Sequence, residues 1–443
     1  MKFIKSLYFT SLFFVGLSAL VIAFIAGYIW LFVFAFAKIA TLGFFVLCSI
    51  DLSLLYVSRV KIIAHRNVPE KLSNGDENEL RIHIENHYRF PVKVNVIDEI
   101  PFQFQKRDFN HSVSISPNEV KTIKYILRPV KRGEYNFGKL NVYAQGPLRM
   151  ISRRFSFDNG KTVPVYPSFL QMRKYELLAI SNNLKEEGIK RLRKLGHSME
   201  FENIREYVIG DDSRAINWKS TARRGQLMVN HFQDEKSQQV YCLIDKGRTM
   251  FMPFDGLSLL DYAINASLVV LNIALQKQDK AGLITFSNKI SSVLPADKKL
   301  SQLKLILEVL YNQKTKYLES DYEVLYAQIR KTVHQRALLI LFSNFGSLTA
   351  LYRQMPYLKK IAKSHLLMII FFENTELSDL IAEKPKNIER IYIKTIAEQF
   401  VYEKKQMVKE LEAIGIHAIL TSPANLTANV INKYLELKSR RLI

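Results

Sequence analysis

Glu200–Asn230 reads EFENIREYVIGDDSRAINWKSTARRGQLMVN, and its reading decides how the second half of the chain is built. Arg205, Tyr207, Gly210, Asp211, Asp212, Arg214, Trp218, Lys219, Arg223 and Arg224 stand close together, with large apolar residues between most of the charges. Asp211, Asp212 and Ser213 are helix N-cap residue types, and negative charge there suits the helix dipole. Ala215, Trp218 and Ala222 share one face at helical spacing, and Gly225 stands where a helix would stop. The pattern predicts a short helix over roughly Arg214–Arg224, with Trp218 buried and Lys219, Arg223 and Arg224 at the surface. A strand over Leu227–Phe232 is expected next. These ten residues form the candidate binding segment.

The same letters carry a resemblance. The pattern R-x-Y-x-x-G-D-D-x-R-x-I-N-W-K-x-T-A-R, from Arg205 to Arg223, resembles the signature of the bacterial "domain of unknown function 58" family. With Gly196-His197-Ser198 before it and Ile244-Asp245 after it, the similarity extends from Gly188 to about Phe286. Membership in that family supplies no reaction. It implies a membrane-anchored chain that works beside a MoxR-type AAA+ ATPase and other A-domain proteins, in systems that assemble or protect envelope or metalloprotein complexes.

Working outward, the N-terminus sets the compartment. Leu7–Gly27 holds no charged residue and is long enough to cross a ~30 Å hydrocarbon core. Leu31–Ile50 is a second such run, broken only by Lys38. A secretory signal peptide is the competing reading, but the stretch is too long and a second one follows at once. Lys2 and Lys5 precede the pair, Arg59, Lys61, His65 and Arg66 follow it, and the turn at Gly27–Trp30 is uncharged. The positive-inside rule then predicts a two-helix hairpin in the bacterial inner membrane with the soluble domains cytoplasmic. Asp51 is expected at the cytoplasmic boundary.

The expected division is a transmembrane hairpin over 1–58, a β-sandwich over 59–168, a basic connector with the signature over 169–239, and an α/β domain over 240–443. In the second part, Leu80–Ile84, Val92–Ile97, Val113–Ile115, Val120–Leu127, Gly138–Tyr143 and Ser152–Phe157 have strand length and patterning. Asn74-Gly75-Asp76, Pro117-Asn118 and Arg132-Gly133 punctuate them, which suggests an immunoglobulin-like sandwich. His65, His83, His87 and His111 are scattered there and suit surface or packing roles. Leu170–Leu195 carries Lys185, Lys190, Arg191, Arg193 and Lys194, either as a solvated linker or as an adhesive strip for anionic lipid or an acidic partner.

After the signature the pattern alternates. Val240–Ile244, Ala281–Phe286, Ala337–Phe342, Leu366–Phe372 and Ile416–Leu420 read as strands. Helices are expected over Leu257–Gln276, Lys299–Asn312, Tyr322–Thr332, Leu348–Ala362 and Glu398–Ile414, with a last one from Ala424. This predicts a doubly wound sheet with ligand positions at the carboxyl ends of its strands. It also resembles the von Willebrand factor A-like fold, whose metal-ion-dependent adhesion site begins D-x-S-x-S. The corresponding letters here are Asp245-Lys246-Gly247-Arg248-Thr249. Asp245 and Thr249 fit, Gly247 removes a hydroxyl, and Asn344 stands where a later aspartate belongs; Thr315 or Ser320 supplies an intervening hydroxyl. The resemblance implies Mg²⁺ on Asp245, Thr249 and Asn344, but the departures favour a degenerate site without a cofactor, since Mg²⁺ wants carboxylate oxygens.

Composition narrows the function. The 443 residues carry 63 Lys+Arg against 41 Asp+Glu, a net charge of +22, so anionic surfaces are natural neighbours. Two cysteines, Cys48 and Cys242, make no disulfide framework and suit a reducing compartment. There is no phosphate-cradling loop motif, no H-E-x-x-H, no G-x-S-x-G, and no zinc-finger or RNA-recognition pattern, so no specific nucleic acid is expected. The expectation is a non-enzymatic interaction protein or scaffold. The alternatives are a hydrolase or nuclease using Glu200, Glu202, Glu206, Asp211 and Asp212, and anionic lipid or nucleic-acid binding through the basic connector.

Overall fold

The computed structural model describes the chain except residues 1–3, 57–61, 107–108, 158–159, 182–198, 210, 212, 235–236, 316, 383–384, 386, 441 and 443. For residues 4, 178–181, 199–203, 214, 231–234 and 378–379 it describes the backbone alone. The chain divides into two compact units, Met1–Tyr166 and Pro167–Ile443.

In the first unit, strand β1 (Leu7–Phe9) leads into helix α1 (Ser11–Ile29), and Trp30 separates it from α2 (Leu31–Tyr56). Both helices are long and apolar enough to cross a membrane. They run antiparallel and close: a Cβ on Gly16 would lie 2.7 Å from the Phe44 ring. Outward residues such as Ile22, Ile25, Leu31 and Phe32 are mostly exposed, a surface that water does not tolerate at this extent. With 26 residues α2 exceeds the ~20 that a bilayer requires. Its last turns carry Asp51, fully buried, whose carboxylate accepts the backbone N–H groups of Leu148 (3.3 Å), Met150 (3.0 Å) and Ile151 (3.0 Å).

The strands that follow are β2 (Ile62–Asn67), β3 (Leu72–Ser73), β4 (Asn78–Asn86), β5 (Val92–Asp98), β6 (Asn110–Ile115) and β7 (Val120–Leu127). Then come β8 (Gly133–Phe137), β9 (Leu140–Gln145), β10 (Ile151–Phe157) and β11 (Lys161–Tyr166). They form sheets ordered β1-β10-β9-β5-β6, β2-β4-β7 and β3-β11-β8. Alternate residues point inward, so Leu80, Ile82 and Ile84 meet Val92, Val94, Val96, Leu140 and Val142 in one core. Strand β2 escaped the sequence reading because its third inward position is Arg66. That guanidinium is buried by an ion pair with Asp98, which also accepts the Tyr125 hydroxyl at 2.6 Å. Strand β11 escaped because Pro164 lies inside it. Strand β3 pairs only with Val165 and Tyr166, so Pro164 faces a single partner strand.

The second unit opens with α3 (Phe169–Ser181). An antiparallel ribbon follows, β12 (Met199–Glu206) and β13 (Met228–Asp234), with the short α4 (Trp218–Arg224) in its connection. The main sheet begins at β14 (Gln239–Asp245), followed by the small hairpin β15–β16 (Pro253–Phe254 and Leu257–Ser258) and α5 (Leu259–Gln276). Next are β17 (Lys280–Phe286), β18 (Ile290–Asp297), α6 (Ser301–Tyr311), α7 (Tyr322–Thr332), β19 (Leu338–Phe342) and α8 (Leu348–Ser364). The chain closes with β20 (Leu366–Phe372), α9 (Thr375–Ala382), α10 (Ile388–Ala413), β21 (His417–Thr421) and α11 (Leu426–Ser439).

The strand order is β18-β17-β14-β19-β20-β21, parallel except for the antiparallel edge β18. Val240, Cys242 and Ile244 of β14 pack on α5 and α11; Tyr241 and Leu243 face α7, α8 and α10. A strand covered on both faces must be apolar throughout, which is why these strands were legible. Helix α5 is also long and apolar enough to cross a membrane, yet 89% of its apolar window is buried inside the protein. It begins with a capping box between Ser258 and Asp261. Strand β14 leads to β17 on one side and lies against β19 on the other, so the strand order reverses at Asp245.

Candidate functional site

Two places collect the residues singled out by sequence. The first is the signature ribbon. Arg205 of β12 pairs with Asp211 at 2.6 Å, and Asp211 also accepts the Val208 N–H at 3.0 Å. Asp211 therefore locks the turn, and the N-cap of α4 is neither Asp211 nor Ser213 but Asn217. The helix begins later, with Asn217 as its N-cap: its side chain accepts the Ser220 N–H at 3.0 Å and donates to Asn230 at 2.8 Å. Thr221 accepts the Met228 N–H at 3.0 Å, and Gly225 ends the helix at φ 71°, a left-handed conformation that favours glycine. Ser213–Ala215 is a separate 3-10 turn. Asn217, Thr221 and Asn230 thus do the positioning. Asn217 followed by Ser220 has the spacing of a cap, a signal present in the sequence but outweighed by the two aspartates.

Trp218 is the larger correction. Its spacing predicts burial, and it is 69% exposed. The two residues just before α4 are fixed to β13 through the backbone, Asn217 N–H to Met228 O and an Ile216–Val229 bridge, and the helix of only two turns that follows leaves Trp218 outward. Beside it, Lys219, Arg223 and Arg224 are exposed, and no carboxylate pairs with them among the described residues. Val208, Ile209 and Leu227 are exposed as well, Ile209 at 97%. Tyr207 is half-buried and donates its backbone N–H to Leu227 O at 2.9 Å. Gly210 and Asp212 lie outside the described residues, as do the basic connector's five cations and the side chains of Arg214, Glu200 and Glu202. The exposed face mixes an aromatic, aliphatic side chains and cations, a composition of interfaces.

The second place is the carboxyl end of β14. Asp245 is buried, and three protein donors bind its carboxylate. Oδ1 accepts Gly247 N–H at 2.8 Å and the Ser320 hydroxyl; Oδ2 accepts the Ser343 hydroxyl at 2.7 Å, itself 2.6 Å from Tyr322 Oη. Burial pushes the Asp245 carboxyl up, and the hydrogen bonds from Ser320, Gly247 and Ser343 oppose that shift. Burial and the nearby Asp245 charge push the Tyr322 phenol well up. A cleft of about 170 Å³ lies over this cluster, with Thr249 in its wall and Glu319 held at its rim by Arg248 (3.0 Å) and Arg353 (3.2 Å).

Asn344 is engaged elsewhere, since its Oδ1 accepts the ammonium of Lys404 from α10. The set offered to a divalent cation is then one carboxylate with its oxygens engaged, the hydroxyls of Thr249, Ser320 and Ser343, and an amide already holding a cation. A serine at Gly247 would not restore it simply, because a Cβ there would collide with Ser320 Oγ. With its one central carboxylate already holding three protein donors, the cluster as it stands does not fit Mg²⁺, which is usually bound through one or two carboxylates in octahedral geometry. No group of three or more His, Cys, Asp or Glu gathers elsewhere among the described residues. Lys404 was missed by sequence reasoning, since a lysine in a charged helix carries no signal of its neighbours.

Comparison with known proteins adds the following. The "Uncharacterized protein YeaD" of Bacillus subtilis (strain 168) is 32% identical over 127 residues, 28% of this chain and 31% of the relative, so the chain spans about a third of the length of that relative. Among solved structures, the conserved hypothetical protein BatB of Bacteroides thetaiotaomicron aligns over 46% of this chain and 100% of its own, at 13% identity and a TM-score of 0.29. A native alpha-2-macroglobulin of Escherichia coli, from domain MG7 to the C-terminus, aligns over 24% of this chain and 17% of its own, at 18% identity and a TM-score of 0.20. Residues 203–379, from the signature ribbon through α9, match the family model described as "Protein of unknown function DUF58".

Proposed function

We propose that this chain is a membrane-anchored, non-enzymatic interaction protein of the bacterial inner membrane, with its soluble domains cytoplasmic. In this reading the first unit carries an immunoglobulin-like sandwich and the second a von Willebrand factor A-like domain. The partner docks on the signature ribbon. The observation that carries the reading is that Trp218, Ile209, Lys219, Arg223 and Arg224 are all exposed on a segment held in shape by Arg205–Asp211, Asn217 and Thr221. An exposed tryptophan with exposed arginines is the residue mix that anchors interfaces. Against hydrolysis stands Asp211, whose carboxylate is occupied by Arg205 and Val208. The family resemblance points to a MoxR-type AAA+ ATPase as the partner, and cations on this face favour an acidic patch on it.

The test is capture of the purified MoxR-type ATPase from the same organism by the full chain in nanodiscs. Trp218→Ala and the pair Arg223→Glu, Arg224→Glu are expected to leave melting within about 0.5 kcal/mol of the parent, as exposed substitutions do. Each is expected to weaken capture at least roughly tenfold, the scale of an interface anchor. Undiminished capture by both folded variants would remove this face from the interface.

A further inference from the structure

Next to the Asp245 cleft, with which it shares Thr249 and Asn344, the second unit holds a larger cavity. It has a volume of about 420 Å³ and lies at the carboxyl ends of β19, β20 and β21, with α9 and α10 as its outer walls. That size is within the range of cavities that hold small organic molecules. Phe254, Phe372, Leu377, Phe400, Val401 and Leu420 make most of its lining apolar. Into this lining comes one cation, Lys404. Its ammonium donates to Asn344 Oδ1 and Phe345 O, which uses two of its three N–H groups. No carboxylate lies within ion-pair distance of it among the described residues, and Glu403 acts on it only from farther away. The side chain is half-buried; a partly desolvated ammonium without a counter-ion is costly, and burial pulls its pKa down to about 8. Glu373 and Glu376 also border the cavity. Their negative charge opposes a doubly charged headgroup such as phosphate more strongly than a single carboxylate, so Lys404 is matched best by a singly charged anion.

We propose that this cavity binds a small aliphatic carboxylate, its headgroup on the Lys404 ammonium and its chain along Phe254, Phe372 and Leu420. The proposal does not depend on the partner reading, because the cavity and the signature face share no residue.

Carboxyl-labelled octanoate is the probe, titrated by NMR into the full chain in nanodiscs, with empty nanodiscs subtracted. Saturable binding is expected. Lys404→Met should weaken it roughly tenfold or more, the effect of losing a charge-assisted hydrogen bond. Octanol, read by its competition with labelled octanoate, should bind correspondingly less well, and inorganic phosphate should not compete. Val401→Trp fills the cavity and leaves the amine in place; it should abolish binding, and it decides the matter if Lys404→Met does not fold. The proposal is overturned if octanoate shows no saturable binding, if octanol competes as well as octanoate itself, if phosphate displaces it, or if folded Lys404→Met or Val401→Trp binds like the parent.

Discussion

Lys404 illustrates how one residue's surroundings set its chemistry. Its ordinary pKa of 10.5 falls to about 8 because burial penalises the charged form. Below about pH 8 both the folded and unfolded chains hold this proton, and the fold bears the full cost of the buried charge. Between about pH 8 and 10.5 the unfolded chain still binds the proton that the folded one has released, so this group makes stability rise with pH. The span corresponds to about 3 kcal/mol. Lys404→Met is therefore expected to be the more stable protein near neutral pH, with its advantage over the parent shrinking as pH rises to 10. Melting of both proteins across that range measures the difference, in which other titrations cancel, including the Cys242 thiol that burial pushes up to about 12. Parallel curves would mean that the ammonium is well solvated. Arg66 makes a related point: counted in the sequence as a charge flanking the membrane, it is buried against Asp98 and adds no net charge there.

At the scale of elements, the joint between α2 and the turn before β10 is held by Asp51. Three backbone N–H groups converge on one carboxylate, a strong arrangement because the acceptor is charged. Gly146 makes it possible: a Cβ there would collide with Asp51 Oδ1. Gly146→Ala should push the carboxylate off its donors and cost about 1–3 kcal/mol by overpacking, whereas Gly43→Ala, which meets nothing within 4 Å, should cost far less. Melting of the two variants in nanodiscs compares them directly; equal values would show that the turn yields. Helix α10 shows the limit of pattern reading. Its second half buries Met407 and Leu411, and spacing predicts it from about Glu398, but it starts at Ile388. In the first half only Ala397 is buried, while Ile388, Tyr392, Ile396 and Phe400 are exposed, so no one-sided apolar stripe marks it.

For the whole molecule, the consequential expectation is orientation. Lys2, Lys5, Arg59 and Lys61 flank the helix pair and the turn between its helices is uncharged. By the positive-inside rule a reporter fused after Ile443 should behave as cytoplasmic, and a cysteine engineered at exposed Ile209 should resist a membrane-impermeant thiol reagent in intact cells. Labelling from outside would reverse the topology and remove a cytoplasmic ATPase from consideration.

The sequence by itself determined whatever is written in local periodicity. The two long apolar helices, the alternating strands β4, β5 and β7, the wholly apolar strands β14, β19 and β20, and α7 and α8 all stand close to where composition and spacing put them, because each buries one continuous pattern. Packing decided the rest. It buried α5, as apolar as a membrane helix, between the sheet and the helices α3, α6 and α11, and it hid Arg66 in a strand by giving it Asp98. It turned Trp218 outward, since backbone pairing with β13 fixed which face of α4 looks at the ribbon. It also brought Lys404 to Asn344 from 60 residues away, replacing an expected metal ligand with an internal cation. Such outcomes depend on which surface lies opposite, and no local spacing records that.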